Sequence, residues 1–194
     1  MYAHYLTAMG RFPEALAESQ RLLELDPLSP ASRNHLGWHY LYAHEFDQAI
    51  EQYKLVLAID PNFAEAHRQL ADAYWEKKKF DEAIVEMNRR FELIGRGDEV
   101  PALKQAYLSS GWKGYWRKRL QFGLERGKHS FVSPSGIAYY YAQLKDTSHA
   151  LDWLERAYRE HDHDLVYLKV DHVWDSLRTQ PRFQELLKRM RLAG

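Results

Sequence analysis

The phrase FDQAIEQYKLVLAIDPNF, from Phe46 to Phe63, constrains this chain more than any other feature, because it is written three times. FPEALAESQRLLELDPLS starts at Phe12 and FDEAIVEMNRRFELIGRG at Phe80, so Phe12, Phe46 and Phe80 stand 34 residues apart. Ala15, Ala49 and Ala83 keep the same step, as do Pro27 and Pro61, with Gly95 at the third place. A fixed period of this length belongs to stacked supersecondary units that bury their apolar faces only against neighbours.

Inside the period the apolar spacing is helical. Leu36, Tyr40 and Ala43 step by four and three, and Ala49, Ile50, Tyr53, Val56 and Leu57 continue that stripe. The segment HEFD, from His44 to Asp47, is short enough to reverse the chain between two helices. Asp47 and Asp81 suit a cap or first turn, and Pro13 takes the equivalent place in the first copy. Asp26-Pro27 and Asp60-Pro61 stop the second helix, because a residue before proline is biased away from helix. Gly37, Ala49, Ala71 and Ala83 mark positions where two helix axes come close. The expected organisation is a single array: a partial repeat over 1–29, repeats over 30–63 and 64–97, a degenerate pair over 98–130 split near Gly111, a repeat over 131–163 opened by Ser133-Pro134, and a connector and capping helix over 164–194.

Charge and composition remove several function classes. Lys+Arg and Asp+Glu number 27 each, so no global field favours nucleic acid or an anionic membrane. The absence of cysteine excludes disulfides, thiolate metal sites and a cysteine nucleophile, and fits a reducing compartment. With no signal-like start and no long apolar run, the expectation is a cytoplasmic protein. There is no glycine-rich phosphate loop, nucleophile elbow or isolated carboxylate pair, so neither catalysis nor a cofactor is expected.

The repeated phrase resembles the tetratricopeptide repeat, W-x2-L-G-x2-Y, then A-x3-F, then P. The second copy has Arg33-x2-Leu36-Gly37-x2-Tyr40, Ala49-x3-Tyr53 and Pro61; the third has His67-x2-Leu70-Ala71-x2-Tyr74, Ala83-x3-Met87 and Gly95. Ile137-Ala138-x2-Tyr141, Ala150-x3-Leu154 and Ala157 repeat the pattern. The resemblance implies an all-α, right-handed superhelix of about five antiparallel helix pairs with a C-terminal capping helix. It further implies a concave groove, lined by the first helix of each pair, that binds a protein or peptide segment. The groove positions are then Asn34, Trp38 and Tyr42, followed by Arg68, Asp72 and Trp75, with Tyr139 extending the surface. Trp38 and Trp75 have two readings, as groove residues or as packing between repeats. The groove reading expects loss of Trp38 to weaken binding with little effect on stability. Trp38 and Asp72 interrupt the basic, Asn-rich clamp of chaperone-tail binders, which disfavours that ligand class.

The phrases GYWRKRL, VSPSGIAYYYAQLKD and ALDWLERAYREHD resemble the ends of long bacterial signalling and regulatory proteins. On that resemblance the chain is expected to be the sensing or scaffolding part of a larger regulator, with Met1 opening a fragment or an uncapped array. Neither the partner's identity nor the oligomeric state is encoded in these features.

Two alternatives use other residues. HDHD, from His161 to Asp164, with His172 nearby, offers imidazole and carboxylate to a metal-dependent regulator or enzyme. Nothing holds those ligands on one rigid face, and His35 and His39 lack an evident third ligand, so no metal is expected. Lys113, Arg117, Lys118 and Arg119, with Tyr115 and Trp116, suggest an RNA-binding helical array. Charges spread around a helix are better read as a solvated face.

Overall fold

A computed structural model describes residues 2–192. The chain divides into two compact units, one reaching to Val100 and the other starting at Pro101. In the described residues every regular element is helical.

The first unit contains α1 (Tyr2–Ala8), α2 (Phe12–Leu25), α3 (Pro30–Tyr42), α4 (Phe46–Ile59), α5 (Ala64–Glu76) and α6 (Phe80–Leu93). Successive helices pack as pairs, and the short turns inside each pair make its helices antiparallel neighbours. Ala15, Ala49 and Ala83 are all buried, so the alanine register marks the contact inside each pair. α2 and α4 end one residue before Asp26 and Asp60, as the proline signals require. Ser29 caps α3, its Oγ accepting from the Ser32 amide at 3.2 Å.

The turn inside each pair is built the same way three times. Gly10, His44 and Lys78, again 34 residues apart, have φ of 76°, 61° and 60°. In each turn the following amide donates back across the helix end: Arg11 to Leu6 at 2.8 Å, Glu45 to Tyr40 and Lys79 to Tyr74 at 2.9 Å. This is a left-handed helix cap, which glycine adopts freely and histidine and lysine adopt with strain.

The second unit contains α7 (Val100–Arg126), which starts at the unit boundary, then α8 (Pro134–Gln143), α9 (Thr147–Arg159) and α10 (Pro181–Arg189). α7 is two helical segments. The backbone leaves helical geometry at Ser110 (φ −142°) and Gly111 (φ 59°, ψ −156°). Past the break the segments approach so closely that a Cβ on Gly114 would lie 2.3 Å from the Ala106 carbonyl oxygen. Ser133 caps α8, accepting from the Gly136 amide at 3.3 Å. Two 3-10 turns, His163–Tyr167 and His172–Leu177, carry Leu165, Trp174 and Leu177 into a core shared with Ala138, Ala150, Leu154 and Phe183. Ion pairs from Arg182 to Asp152 (2.9 Å) and from Arg189 to Glu155 (2.6 Å) hold α10 along α9.

The reading of the basic stretch as a solvated face needs correction. Lys113 and Arg117 are exposed, but Tyr115, Trp116 and Arg119 are buried. The Arg119 guanidinium lies 4.7 Å from the Trp116 ring and 4.9 Å from the Tyr140 ring. Its planar, weakly hydrated charge stacks on aromatic faces, which offsets part of the cost of burial.

Candidate interaction surface on α3 and α5

The two expected rows have different characters. Asn34, Trp38 and Tyr42 on α3 are all buried. The His4 ring from α1 stacks on Trp38 with centroids 4.9 Å apart, and the Tyr42 ring lies 4.3 Å from Trp38 at a tilt. Trp38 is therefore packing between repeats, and the expectation that its loss spares stability is corrected. The burial follows from α1, whose His4 stands one period before Trp38.

The α5 row is part-exposed. Arg68 donates from Nη1 to Asp72 at 2.7 Å, and from Nε and Nη2 to Glu65 at 2.9 and 2.5 Å. Burial works against the Arg68 charge, but Asp72 and Glu65 more than offset it and hold its pKa above the ordinary value. Burial likewise raises Glu65, and Arg68 overcomes that to leave the carboxyl below its usual range. Tyr42 also favours the Arg68 charge, so α3 and α5 bring these two rows together. The Tyr53 phenol is buried nearby, and burial drives its pKa upward, with Arg68 opposing the shift and Asp72 and Glu65 adding to it. Trp75 sits half-buried with its ring against Phe80 at 4.8 Å. His67 closes the other side, with Nδ1 2.6 Å from a Glu86 carboxylate oxygen and Nε2 3.0 Å from the Pro61 carbonyl. Tyr139 lies in the second unit and packs there against Trp116 at 5.5 Å.

Sequence reasoning missed the neighbour of His35 and His39. His4 reaches both, with ring centroids 4.9 and 5.0 Å away, and Thr7 Oγ1 lies 2.7 Å from His39 Nδ1. Burial first, and then the neighbouring imidazoles, lower His4 to about 4 and His39 to about 3, so both are neutral near pH 7. Among the described residues, the ligand atoms that gather within 4.8 Å of one another are those of Asp162, His163 and Asp164, not those of this trio.

The Asp162 oxygens have structural work. Oδ2 accepts from Ser133 Oγ at 2.6 Å and from the Ser135 amide at 3.0 Å, and Oδ1 accepts from the Asp164 amide at 3.2 Å. Burial raises this carboxyl, and those hydrogen bonds more than compensate, leaving its pKa low. Asp162 therefore ties the end of α9 to the start of α8. His163 points into solvent, and His172 Nδ1 stands 3.8 Å from Asp171.

Paired helices in a 34-residue register, with a polar and aromatic face on the first helix of a pair, define a helical-repeat protein. Residues 39–78 match the family profile described as TPR repeat. The chain is also similar to the probable UDP-N-acetylglucosamine–peptide N-acetylglucosaminyltransferase SEC of Arabidopsis thaliana, 34% identical over 82 residues. The alignment covers 42% of this chain, which spans only 8% of the length of that relative. Among the described residues no helix is long and apolar enough to cross a membrane.

Proposed function

We propose that this chain is a protein–protein interaction module that holds an extended partner segment across α3 and α5. Repeats of the TPR kind are interaction modules, and Arg68, Asp72 and Trp75 fall within residues 39–78, which match that repeat. The observation that carries the reading is the part-exposed row of Arg68, Asp72 and Trp75. Trp75 supplies flat apolar area, and the Glu65–Arg68–Asp72 set supplies fixed polar atoms. Asn34, Trp38 and Tyr42 are buried, Trp38 against His4 of α1, and Tyr42 favours the Arg68 charge from α3. Arg68 already has two carboxylate partners, so it orients the acids instead of capturing a ligand carboxylate by itself. Tyr139 offers a separate aromatic contact on the second unit. The C-terminal phrases support a scaffolding or sensing place within a larger regulatory assembly.

The test is selection from a displayed peptide library against the wild-type chain. Peptides that bind through this surface lose at least about 2 kcal/mol of affinity with Trp75→Ala, the loss expected of a hot spot. Selected peptides that bind Trp75→Ala and Asp72→Asn as well as wild type would place the interaction surface elsewhere.

A further inference from the structure

Overall neutrality conceals an uneven distribution of charge. The first unit carries 11 Lys and Arg against 17 Asp and Glu, and the second carries 16 against 10. The stretch 101–145 accounts for the positive excess, with eight Lys or Arg and a single acid, Glu125. Burial decides which of these charges meet solvent. Past Gly111, α7 turns Tyr115, Trp116 and Arg119 inward. Lys113 and Arg117, one helical turn apart, stay exposed, with Lys118 part-exposed beside them. These cations therefore lie on one side of the helix instead of encircling it.

They also lack the partners that arginines have on other helices, where Arg11 pairs with Glu14, Arg89 with Glu92 and Arg156 with Glu160. Among the described residues no carboxylate pairs with Lys113, Arg117 or Lys118, and Glu125 is engaged by Lys128 at 2.6 Å. Two part-exposed rings stand among the charges. Lys113 Nζ lies 5.5 Å from the Trp112 ring centre and Lys118 Nζ 5.8 Å from that of Phe122. We infer that this face of α7 binds single-stranded nucleic acid. Phosphates take the unpaired cations, and each unstacked base finds an aromatic ring next to a charge. An acidic protein segment would satisfy the cations but brings no flat ring to Trp112 and Phe122. The surface belongs to the second unit and does not rest on the reading of α3 and α5.

Fluorescence anisotropy of the whole chain with a labelled oligouridine of about 12 nucleotides tests this, with oligothymidine run in parallel to separate RNA from DNA. Three phosphate contacts on a single strand give a slope of log K against log salt of about −2, or about a fifteen-fold loss from about 50 to about 200 mM salt. Lys113→Gln with Arg117→Gln should bring the slope to about −0.7 with unchanged circular dichroism, since both residues are exposed. Phe122→Leu should weaken binding about fivefold or more at an unchanged slope, because it removes stacking and no charge. No binding of either strand at about 50 mM salt would overturn the inference. So would an affinity and slope that survive the double substitution, or an affinity that survives Phe122→Leu. An oligoglutamate of equal charge that competes as well as the unlabelled oligonucleotide would assign the face to an acidic protein instead.

Discussion

The Tyr53 ring fills the space that any side chain at Gly37 would need: a Cβ there would stand 2.6 Å from Tyr53 Cε1. This contact sets the distance between α3 and α4. Tyr53 is fully buried and cannot swing aside, so Gly37→Ala should cost about 1–3 kcal/mol. Ala49→Leu and Ala83→Leu overpack equivalent contacts and should cost a similar amount. Tyr53→Leu should recover part of the Gly37→Ala loss, since adjoining sites are not additive. Urea midpoints for the set decide the matter; wild-type midpoints for Gly37→Ala and both alanine variants would contradict the packing.

The left-handed turns at His44 and Lys78 hold strain that Gly10 avoids. His44→Gly and Lys78→Gly should each stabilise the first unit by up to about 1 kcal/mol, less the extra freedom glycine gains when unfolded. Gly10→Ala should destabilise by a similar amount. Thermal melts of the three variants check the sign, and a lower melting temperature for both glycine variants would show that the side chains outweigh the backbone.

His4 and His39 make the α1–α3 contact sensitive to acid. Their folded-state values, about 4 and about 3, lie below the ordinary imidazole value of about 6.5. The unfolded chain therefore binds more protons between those limits. Stability is full above about pH 6.5 and is lost as pH falls toward about 4 and then about 3. The loss should reach a few kcal/mol by about pH 4, shared between the coupled rings. His4→Phe should flatten the profile while keeping an aromatic ring on Trp38. Urea denaturation at stepped pH measures this, and identical slopes for wild type and His4→Phe would contradict it.

Asp162 is read as a hydrogen-bonded tie between α8 and α9. Asp162→Ala should cost about 1–3 kcal/mol by leaving Ser133 and the Ser135 amide without their acceptor. Chelation should leave the melting temperature unchanged. A fall of many degrees with EDTA, restored by zinc, would assign the cluster to a metal instead.

The repeat could be read in the sequence because its anchors are small or cyclic residues at fixed steps. Alanine at 15, 49 and 83 and proline at 27 and 61 each report a local steric need. Trp38 was harder, because the residue that covers it, His4, lies in another helix and outside the repeated phrase. The Arg68 contacts did carry a local signal: Glu65 and Asp72 stand three and four residues away on the same helix, the spacing at which side chains meet. Arg119 had Tyr115 and Trp116 at the same helical spacing, but its third ring, Tyr140, comes from α8, and no local pattern shows that contact. The left-handed turns were hidden because only Gly10 of the three carries the usual residue for that backbone.

The central proposal is that α3 and α5 form the binding surface. Hydrogen–deuterium exchange of the whole chain, with and without the tightest-binding displayed peptide, tests it most directly. We expect added protection in 64–76 and, more weakly, in 30–42, with the second unit unchanged and the effect lost in Trp75→Ala. Protection confined to 134–192, or persisting undiminished in Trp75→Ala, would contradict it.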